Sequence, residues 1–352
     1  MKNRSSFLML FVLLGVLFQG CKSEDPPVPE PEVPKPTAAF TFEQVEESDP
    51  FTFHFENQSK DYEIVRWEFG DDSSSLDVSP THTFLKTGEF TVKMNTQNSQ
   101  GYWAQKEVVI DISPDSVLII NTELQEDGSL NLSLSSNIET DSLFWYKGIG
   151  TAAELIHQGP VANIEVASGQ FQDYTLRVKT PKGSIAEISK LLTDIGIVRD
   201  VTDAGNLSVS RDNNGGPEAG EGSLKLVDNN TNTKFLQFDY VGDLWYQLEY
   251  FQPQVIGAYT FTSANDAQQR DPKNWTLQAS NDGEEWVVLD TRTDEVFEDR
   301  FMTRIFTFDN TEAYLFYRVY VTEVGSGGLF QLAEWRMLQL PQETTTGETT
   351  SE

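Results

Sequence analysis

Along most of its body this chain alternates apolar and polar side chains with a period of two, and few folds accommodate that. Phe51-Thr-Phe-His-Phe55, Phe90-Thr-Val-Lys-Met94, Leu130-Asn-Leu-Ser-Leu134 and Tyr174-Thr-Leu-Arg-Val178 are examples. Successive side chains of a strand point to opposite faces, so each run has one face to bury and one to wet. Gly, Asn, Asp and Pro interrupt the runs at short intervals, as turns require. No long stretch carries the apolar stripe of a helix. The expected fold is all-β, a series of β-sandwiches. The chain has a single cysteine, Cys21, so no intramolecular disulfide is available and each sandwich must hold on its own core.

The first residues follow a different rule. Lys2 and Arg4 precede an apolar run from Phe7 to Phe18, too short to span a bilayer comfortably and of the length of a signal-peptide core. It ends in Leu17-Phe18-Gln19-Gly20-Cys21, which resembles a lipobox, with Gln19 an unusual residue inside it. The resemblance implies cleavage after residue 20, lipidation of Cys21 and anchoring in an outer membrane, exposed at the cell surface. Several acyl chains, at about 0.8 kcal/mol per buried methylene, give a stable anchor. Lys22-Ser23-Glu24-Asp25 resembles the acidic export signal after the lipid cysteine of many Bacteroidota lipoproteins; it reads equally as solvated linker charge. Pro26 to Pro36 alternates proline with Val, Glu and Lys, a semi-rigid polyproline II spacer of roughly 30–40 Å. Residues 21–36 are therefore expected to be anchor and linker.

Charge excludes one class of partner. With 25 basic and 55 acidic residues the net charge is −30, and about −32 once the leader's two cations are gone. Such a surface repels phosphate backbones, which argues against nucleic acid, and favours divalent cations.

Residues 37–113 form the first expected sandwich. Trp67-Glu-Phe-Gly-Asp-Asp-Ser73 and Ser79-Pro-Thr-His-Thr-Phe84 resemble the two signatures of the PKD repeat, an immunoglobulin-like module. Asp72 stands where that family usually has glycine, and Asp tolerates such turns. Asp71, Asp72 and His82 admit two readings: a metal or catalytic cluster, or a turn with His82 packed below the Trp67 strand. The turn is favoured, and the module is read as a spacer. Residues 114–196 are expected to be a second immunoglobulin-like sandwich, in which Phe144-Trp-Tyr146 is read as core, favoured by the flanking Leu143 and Ile149, over an exposed aromatic platform.

Residues 197–340 are the most informative. Leu224-Lys-Leu-Val-Asp-Asn-Asn-Thr-Asn-Thr-Lys-Phe235, Tyr259-Thr-Phe-Thr-Ser-Ala-Asn-Asp266, Arg270-Asp-Pro-Lys-Asn-Trp275, Thr276 to Trp286, Tyr317-Arg-Val-Tyr320 and Leu332-Ala-Glu-Trp335 follow one another as in the discoidin or coagulation-factor type C family. The resemblance implies a jelly-roll sandwich with ligand loops at one end, and in bacteria a galactose-type carbohydrate-binding module. Asp228, Asn230 and Thr233 crowd oxygen donors into six residues, and Ca²⁺ takes six to eight oxygens. By resemblance, Glu334 and a carbonyl near Lys225 complete a structural calcium site. Asn229 replaces the usual glycine and can adopt the left-handed conformation. A hydrogen-bonded turn without metal is the competing reading.

A sugar site needs an aromatic ring for the apolar face and planar polar groups for the hydroxyls. Asn265, Asp266 and Arg270 are the candidate polar groups and Phe330, after Gly325-Ser-Gly-Gly328, the candidate ring. Asp266 and Arg270 read equally as an ion pair closing their loop. Trp245, Trp275, Trp286 and Trp335 fall in strand patterns and are expected in the core. The three histidines, His54, His82 and His157, lie in separate units, and no nucleophile motif stands out. The expectation is a non-catalytic surface lipoprotein binding glycan or polysaccharide, with an outer-membrane uptake complex as its partner. An adhesion or structural lipoprotein binding protein or host matrix is the alternative. Residues 341–352 are expected to be a disordered tail.

Overall fold

Strands form almost everywhere the alternation occurs in the computed structural model, which describes residues 33–342. The leader, Cys21, the acidic run, most of the proline spacer and the tail from residue 343 lie outside the described residues. No helix among the described residues is long and apolar enough to cross a membrane. The architecture is all-β.

The first unit faces a three-stranded sheet (Phe40–Glu46, Asp49–Asn57, Thr81–Thr83) against a four-stranded one ordered Ser74–Ser75, Ile64–Glu68, Gly88–Gln97, Trp103–Ile112. Phe40, Phe55, Trp67 and Phe69 fill the space between them, with ring centroids 4.9–6.2 Å apart. The spacer ends earlier than expected. Pro36 is buried, Asn98 Nδ2 donates to the Pro34 carbonyl at 3.0 Å, and Thr37 bridges Lys60, so these residues lie on the first sandwich.

The middle unit packs a five-stranded sheet (Glu154–Gln158, Ser142–Lys147, Gln172–Lys179, Ile185–Thr193, Gly196–Ile197) on a three-stranded one (Val161–Ile164, Leu130–Leu134, Ile120–Leu124). Its aromatic triplet divides by strand alternation. Trp145 is buried and donates from its indole N–H to the Gly159 carbonyl. Phe144 and Tyr146 face outward, half-buried, and Arg177 lies over Tyr146.

The first two units are joined by more than a linker. Ser184 Oγ donates to the Phe84 carbonyl at 2.8 Å, the Ile185 amide to Leu85 at 3.0 Å, and Lys182 Nζ to Asp49 at 2.7 Å. One apolar cluster runs through both cores. Burial works to raise the Asp49 carboxyl, but bonds from Lys182, Thr52 and the Phe51 N–H together hold it below the ordinary carboxylate range.

The C-terminal unit is a jelly-roll-like sandwich. A five-stranded sheet (Gly205–Val209, Leu244–Gln254, Tyr314–Val324, Pro272–Ser280, Val287–Arg292) faces a four-stranded one (Arg199–Asp200, Glu334–Gln339, Ala258–Thr262, Thr303–Thr307). Phe235–Gln237 pairs with Phe330–Leu332 at one end. Trp275, Trp335, Tyr246, Tyr259 and Phe261 form the core, and edge-on aromatic pairs of this kind add about 0.5–1.5 kcal/mol each beyond area burial. Trp245 and Trp286 do not join them. Both are half-buried on the outer face of the larger sheet, where the Arg318 guanidinium lies between them, 3.7 Å from the Trp286 ring and 5.8 Å from Trp245. Residue 245 lies one step out of phase with core residues Leu244 and Tyr246, and the alternation turns it outward.

Candidate functional site

The site is organised by the short segment Thr233-Lys-Phe235, whose side chains diverge. Thr233 reaches the Asp228 turn, Lys234 the loop at 265–271, and Phe235 the core.

On the first side, Thr233 Oγ1 donates to both Asp228 carboxylate oxygens at 2.9 Å and lies 2.8 Å from the Asn230 carbonyl. The Asn230 amide donates to Asp228 Oδ1, and Asn230 Oδ1 accepts from the Asn232 amide. Asn229 takes the expected left-handed conformation at φ 55°, and its amide donates to Glu334 Oε1 at 3.0 Å. So the turn and Glu334, 105 residues apart, are brought together. Glu334 is almost wholly buried, and its Oε2 has no hydrogen-bond partner among the described residues. Burial lifts its carboxyl to about 7, with Arg336 offsetting only part. Arg336 contacts Glu334 at 3.3 Å and also bonds Asp200 and Asp203 in the segment leading in from the middle unit.

These residues fit a hard divalent cation in kind. Asp228 and Glu334 offer carboxylates, Asn230 an amide oxygen and Thr233 a hydroxyl, all oxygen donors of the sort Ca²⁺ takes. A buried orphaned carboxylate oxygen costs about 1–3 kcal/mol or more unless something satisfies it. Beside the carbonyl expected near Lys225, the side chain of that residue also enters: its Nζ lies 3.2 Å from Asp228 Oδ2, so a cation on Asp228 would displace that ammonium. Among the described residues no group of three or more His, Cys, Asp or Glu forms a metal cluster. Any ion here would rely on two carboxylates with neutral oxygens.

On the second side, Lys234 is nearly buried and its Nζ donates to Asn265 Oδ1 at 3.0 Å and Asp266 Oδ1 at 2.8 Å, with Gln331 Oε1 at 3.5 Å. The bond from Lys234 holds the Asp266 carboxyl below its ordinary range. The loop's backbone is clamped from beneath. Buried Gln331 donates to the Asp266 and Ala267 carbonyls, and Arg300 donates to Asp271 through two bonds and to the Ala264 and Asp266 carbonyls. Ala267 sits at φ 42°, a strained conformation for a residue with a Cβ. The loop at 325–329 closes over the same end, Ser326 donating to the Gln269 carbonyl and Tyr240 to the Gly328 carbonyl. Behind the loop lies a cavity of about 430 Å³ walled by Gln268, Gln269, Lys273, Glu295 and Phe297.

Asn265 and Asp266 therefore meet at an exposed rim, joined by Lys234. Arg270 is half-buried and makes no side-chain hydrogen bond or ion pair among the described residues. An Asp266–Arg270 pair does not form; the pair that closes the loop is Asp271–Arg300. Phe330 is not a surface ring. It lies opposite Gln237 in a strand pair, fully buried, with its ring about 6 Å from Phe235 and Tyr246. The glycines before it turn the chain, and the strand that follows carries the side chain inward. Lys234, Gln331, Asp271 and Arg300 escaped sequence reasoning. Lys234 stood in the early-loop motif as a pattern residue without a role, and Gln331 reads as an interruption in an apolar strand.

In the first unit, Asp71, Ser73 and His82 do meet. His82 Nε2 lies 2.8 Å from Asp71 Oδ2, Ser73 bonds Asp71 Oδ1, and the imidazole stacks on Phe69 at 4.0 Å. Ser73 Oγ also lies 3.4 Å from His82 Nε2, so the serine, the imidazole and the carboxylate form one closed hydrogen-bonded turn. Asp72 completes the turn at φ 68°. Burial works to raise the Asp71 carboxyl, and the bonds from Ser73 and His82 bring it below the ordinary value.

Residues 33–112 match the PKD domain model and residues 207–335 the F5/8 type C domain model; the chain carries both domains. Solved structures similar to about two fifths of this chain include the following three. The family 32 CBM from C. perfringens NanJ in complex with galactose is 14% identical, covering 41% of this chain and 100% of that one at a TM-score of 0.34. An F5/8 type C domain from Bacteroides fragilis is 15% identical over 41% of this chain and 97% of that one, TM-score 0.36. Chitosan-binding module 1 of the chitosanase/glucanase from Paenibacillus sp. IK-5 is 18% identical over 40% of this chain and 98% of that one, TM-score 0.33. A stretch of 60 residues is 50% identical to the peptide-N(4)-(N-acetyl-beta-glucosaminyl)asparagine amidase of Arabidopsis thaliana. It spans 17% of this chain and only 8% of that protein.

Proposed function

We propose that this chain is a non-catalytic lipoprotein, anchored to the outer membrane through Cys21, that captures carbohydrate on the loop end of its F5/8 type C domain. The observation that carries the reading is the rim of Lys234, Asn265 and Asp266. An ammonium, an amide and a carboxylate are locked together there and held from below by Gln331 and Arg300. With the buried Lys234 ammonium committed to three oxygens, the exposed Asn265 and Asp266 groups are the ones that offer donors and acceptors in fixed directions, which is what hydroxyl recognition needs, and preorganisation limits the entropy lost on binding. Arg270 adds an uncommitted guanidinium on the same loop. A calcium ion on Asp228, Asn230, Thr233 and Glu334 serves as a structural brace, holding the turn that leads into Lys234. Lipid attachment and glycan capture together suit a component of an uptake complex.

General acid–base catalysis needs a positioned pair of groups in a cleft. The carboxylates near the rim, Asp266 and Asp271, are both engaged by cations, which supports binding over turnover. The test is a glycan array with the chain from residue 22 onward, as wild type and as Asp266→Ala. Retention on a defined glycan that falls at least about tenfold in the variant supports the reading. Retention on no glycan, or equal retention by both proteins, sinks it. A partner protein recovered independently of free sugars would favour the adhesion alternative.

A further inference from the structure

The first unit carries a feature that a spacer does not need. In strand Trp103–Ile112 the alternation turns Ile110 and Ile112 into the core and Trp103 and Gln105 outward. Trp103 is left 65% exposed. Cross-strand register aligns it with Gln97 and then Ile64, and the next row aligns Gln105, Asn95 and Arg66. Neighbouring strands lie about 4.8 Å apart and same-face residues about 6.7 Å apart along a strand. The two rows therefore frame a patch roughly 10 Å by 7 Å. A shallow depression of about 410 Å³ lies over it, lined by Ile64, Arg66, Asn95, Thr96, Gln97 and Trp103.

We propose that this outer sheet face is a second ligand site, which takes the pyranose rings of an uncharged glycan against Trp103. Single exposed apolar residues are ordinary, but three observations set this one apart. The indole borders a depression and stands beside a second exposed apolar side chain, Ile64. The Asn95 amide, half-buried at its centre, has no side-chain hydrogen-bond partner among the described residues. Arg66 approaches its nearest carboxylate, Glu68, at 3.5 Å without a hydrogen bond, which leaves planar donors at the rim.

The chemistry selects the occupant. A pyranose presents an apolar C–H face that fits an indole and a fringe of hydroxyls that fits amides and a guanidinium. Charge is locally balanced, Arg66 by Glu68 and Lys93 by Glu107 at 3.1 Å, so the patch offers no net attraction to an ionic ligand. The surrounding chain, at −30 overall, repels anionic polymers. A protein partner would want a larger apolar centre, with about 800 Å² buried per side, and here polar side chains flank only two apolar ones. The site stands on observations separate from those behind the C-terminal reading.

Affinity electrophoresis tests it with the chain from residue 22 onward. Native gels each contain one neutral polysaccharide (galactomannan, xylan, pectic galactan, laminarin or hydroxyethyl cellulose), and one further gel contains gelatin. Wild type, Trp103→Ala, Trp103→Phe and Asp266→Ala are compared. Because Trp103 is exposed, its substitution leaves the unfolding midpoint unchanged. The expected result is retardation weakened about tenfold by Trp103→Ala in at least one polysaccharide gel and partly kept by Trp103→Phe. Wild-type mobility of Trp103→Ala in every polysaccharide gel overturns the proposal. So does a wild type unretarded in all of them, or a loss confined to gelatin. Loss with Asp266→Ala alone would sink this site and leave the C-terminal one; loss with Trp103→Ala alone would do the reverse.

Discussion

Replacing Arg300 with Met should destabilise the C-terminal domain by about 2–4 kcal/mol near neutral pH and loosen the loop bearing Asn265 and Asp266. Arg300 donates to the two Asp271 oxygens at 3.1 and 2.6 Å and to the Ala264, Asp266 and Phe297 carbonyls at 3.4, 3.1 and 3.1 Å. Breaking a fully buried pair costs about 3–5 kcal/mol, because it strands a charge out of water. Arg300 keeps 22% of its side chain in water while Asp271 keeps 5%, and Gln331 still faces Asp271 at 3.4 Å; both reduce the figure. Burial already raises the Asp271 carboxyl, with Arg300 offsetting part of it. Without the guanidinium the carboxyl rises further. Its folded pKa then lies above its unfolded value, so its contribution to stability is intact below the unfolded value and lost as pH climbs through the folded one. The variant's deficit is therefore greatest near neutral pH and shrinks on acidification. Urea unfolding of both proteins from about pH 7 to about pH 4.5 measures this directly. A deficit below about 0.5 kcal/mol, or one that stays constant across the series, would refute the reasoning.

Three further outcomes are expected. Calcium in the millimolar range should raise the unfolding midpoint, by about 2.7 kcal/mol in stability at a hundredfold excess over its dissociation constant. Glu334→Gln should abolish that gain, and calorimetry showing the same gain in both proteins would remove Glu334 from the site. At Asn229, φ 55° predicts that Asn229→Gly is nearly neutral while Asn229→Ala costs about 1 kcal/mol; equal thermal shifts would contradict it. The lowered Asp71 carboxyl contributes stability above its unfolded pKa, and that stability is lost as pH falls through its folded value. Asp71→Asn should flatten this acid limb of the first unit's unfolding profile, and an unchanged limb would place the loss elsewhere.

Local rules carried much of this molecule. Period-two alternation is a property of neighbouring residues, so the strands around Phe51, Phe90, Leu130 and Tyr174 could be read without a partner strand in view. The same holds for the turns at Asp72 and Asn229, where a short polar side chain in the left-handed region is a local matter. Motif order sufficed for the two recognisable domains. Pairing and burial belong to the tertiary structure. Phe330 looked like a loop aromatic because glycines precede it, and only its pairing with Gln237 shows that it faces inward. Trp245 and Trp286 looked like core because they are tryptophans in strands, and the sheet face they occupy is the outer one. Lys234 met Asp266 across 32 residues and Glu334 met Asn229 across 105. A long-range contact leaves no periodic trace in sequence, because its free energy depends on which loops the fold brings together, and that is settled only when the sandwich closes.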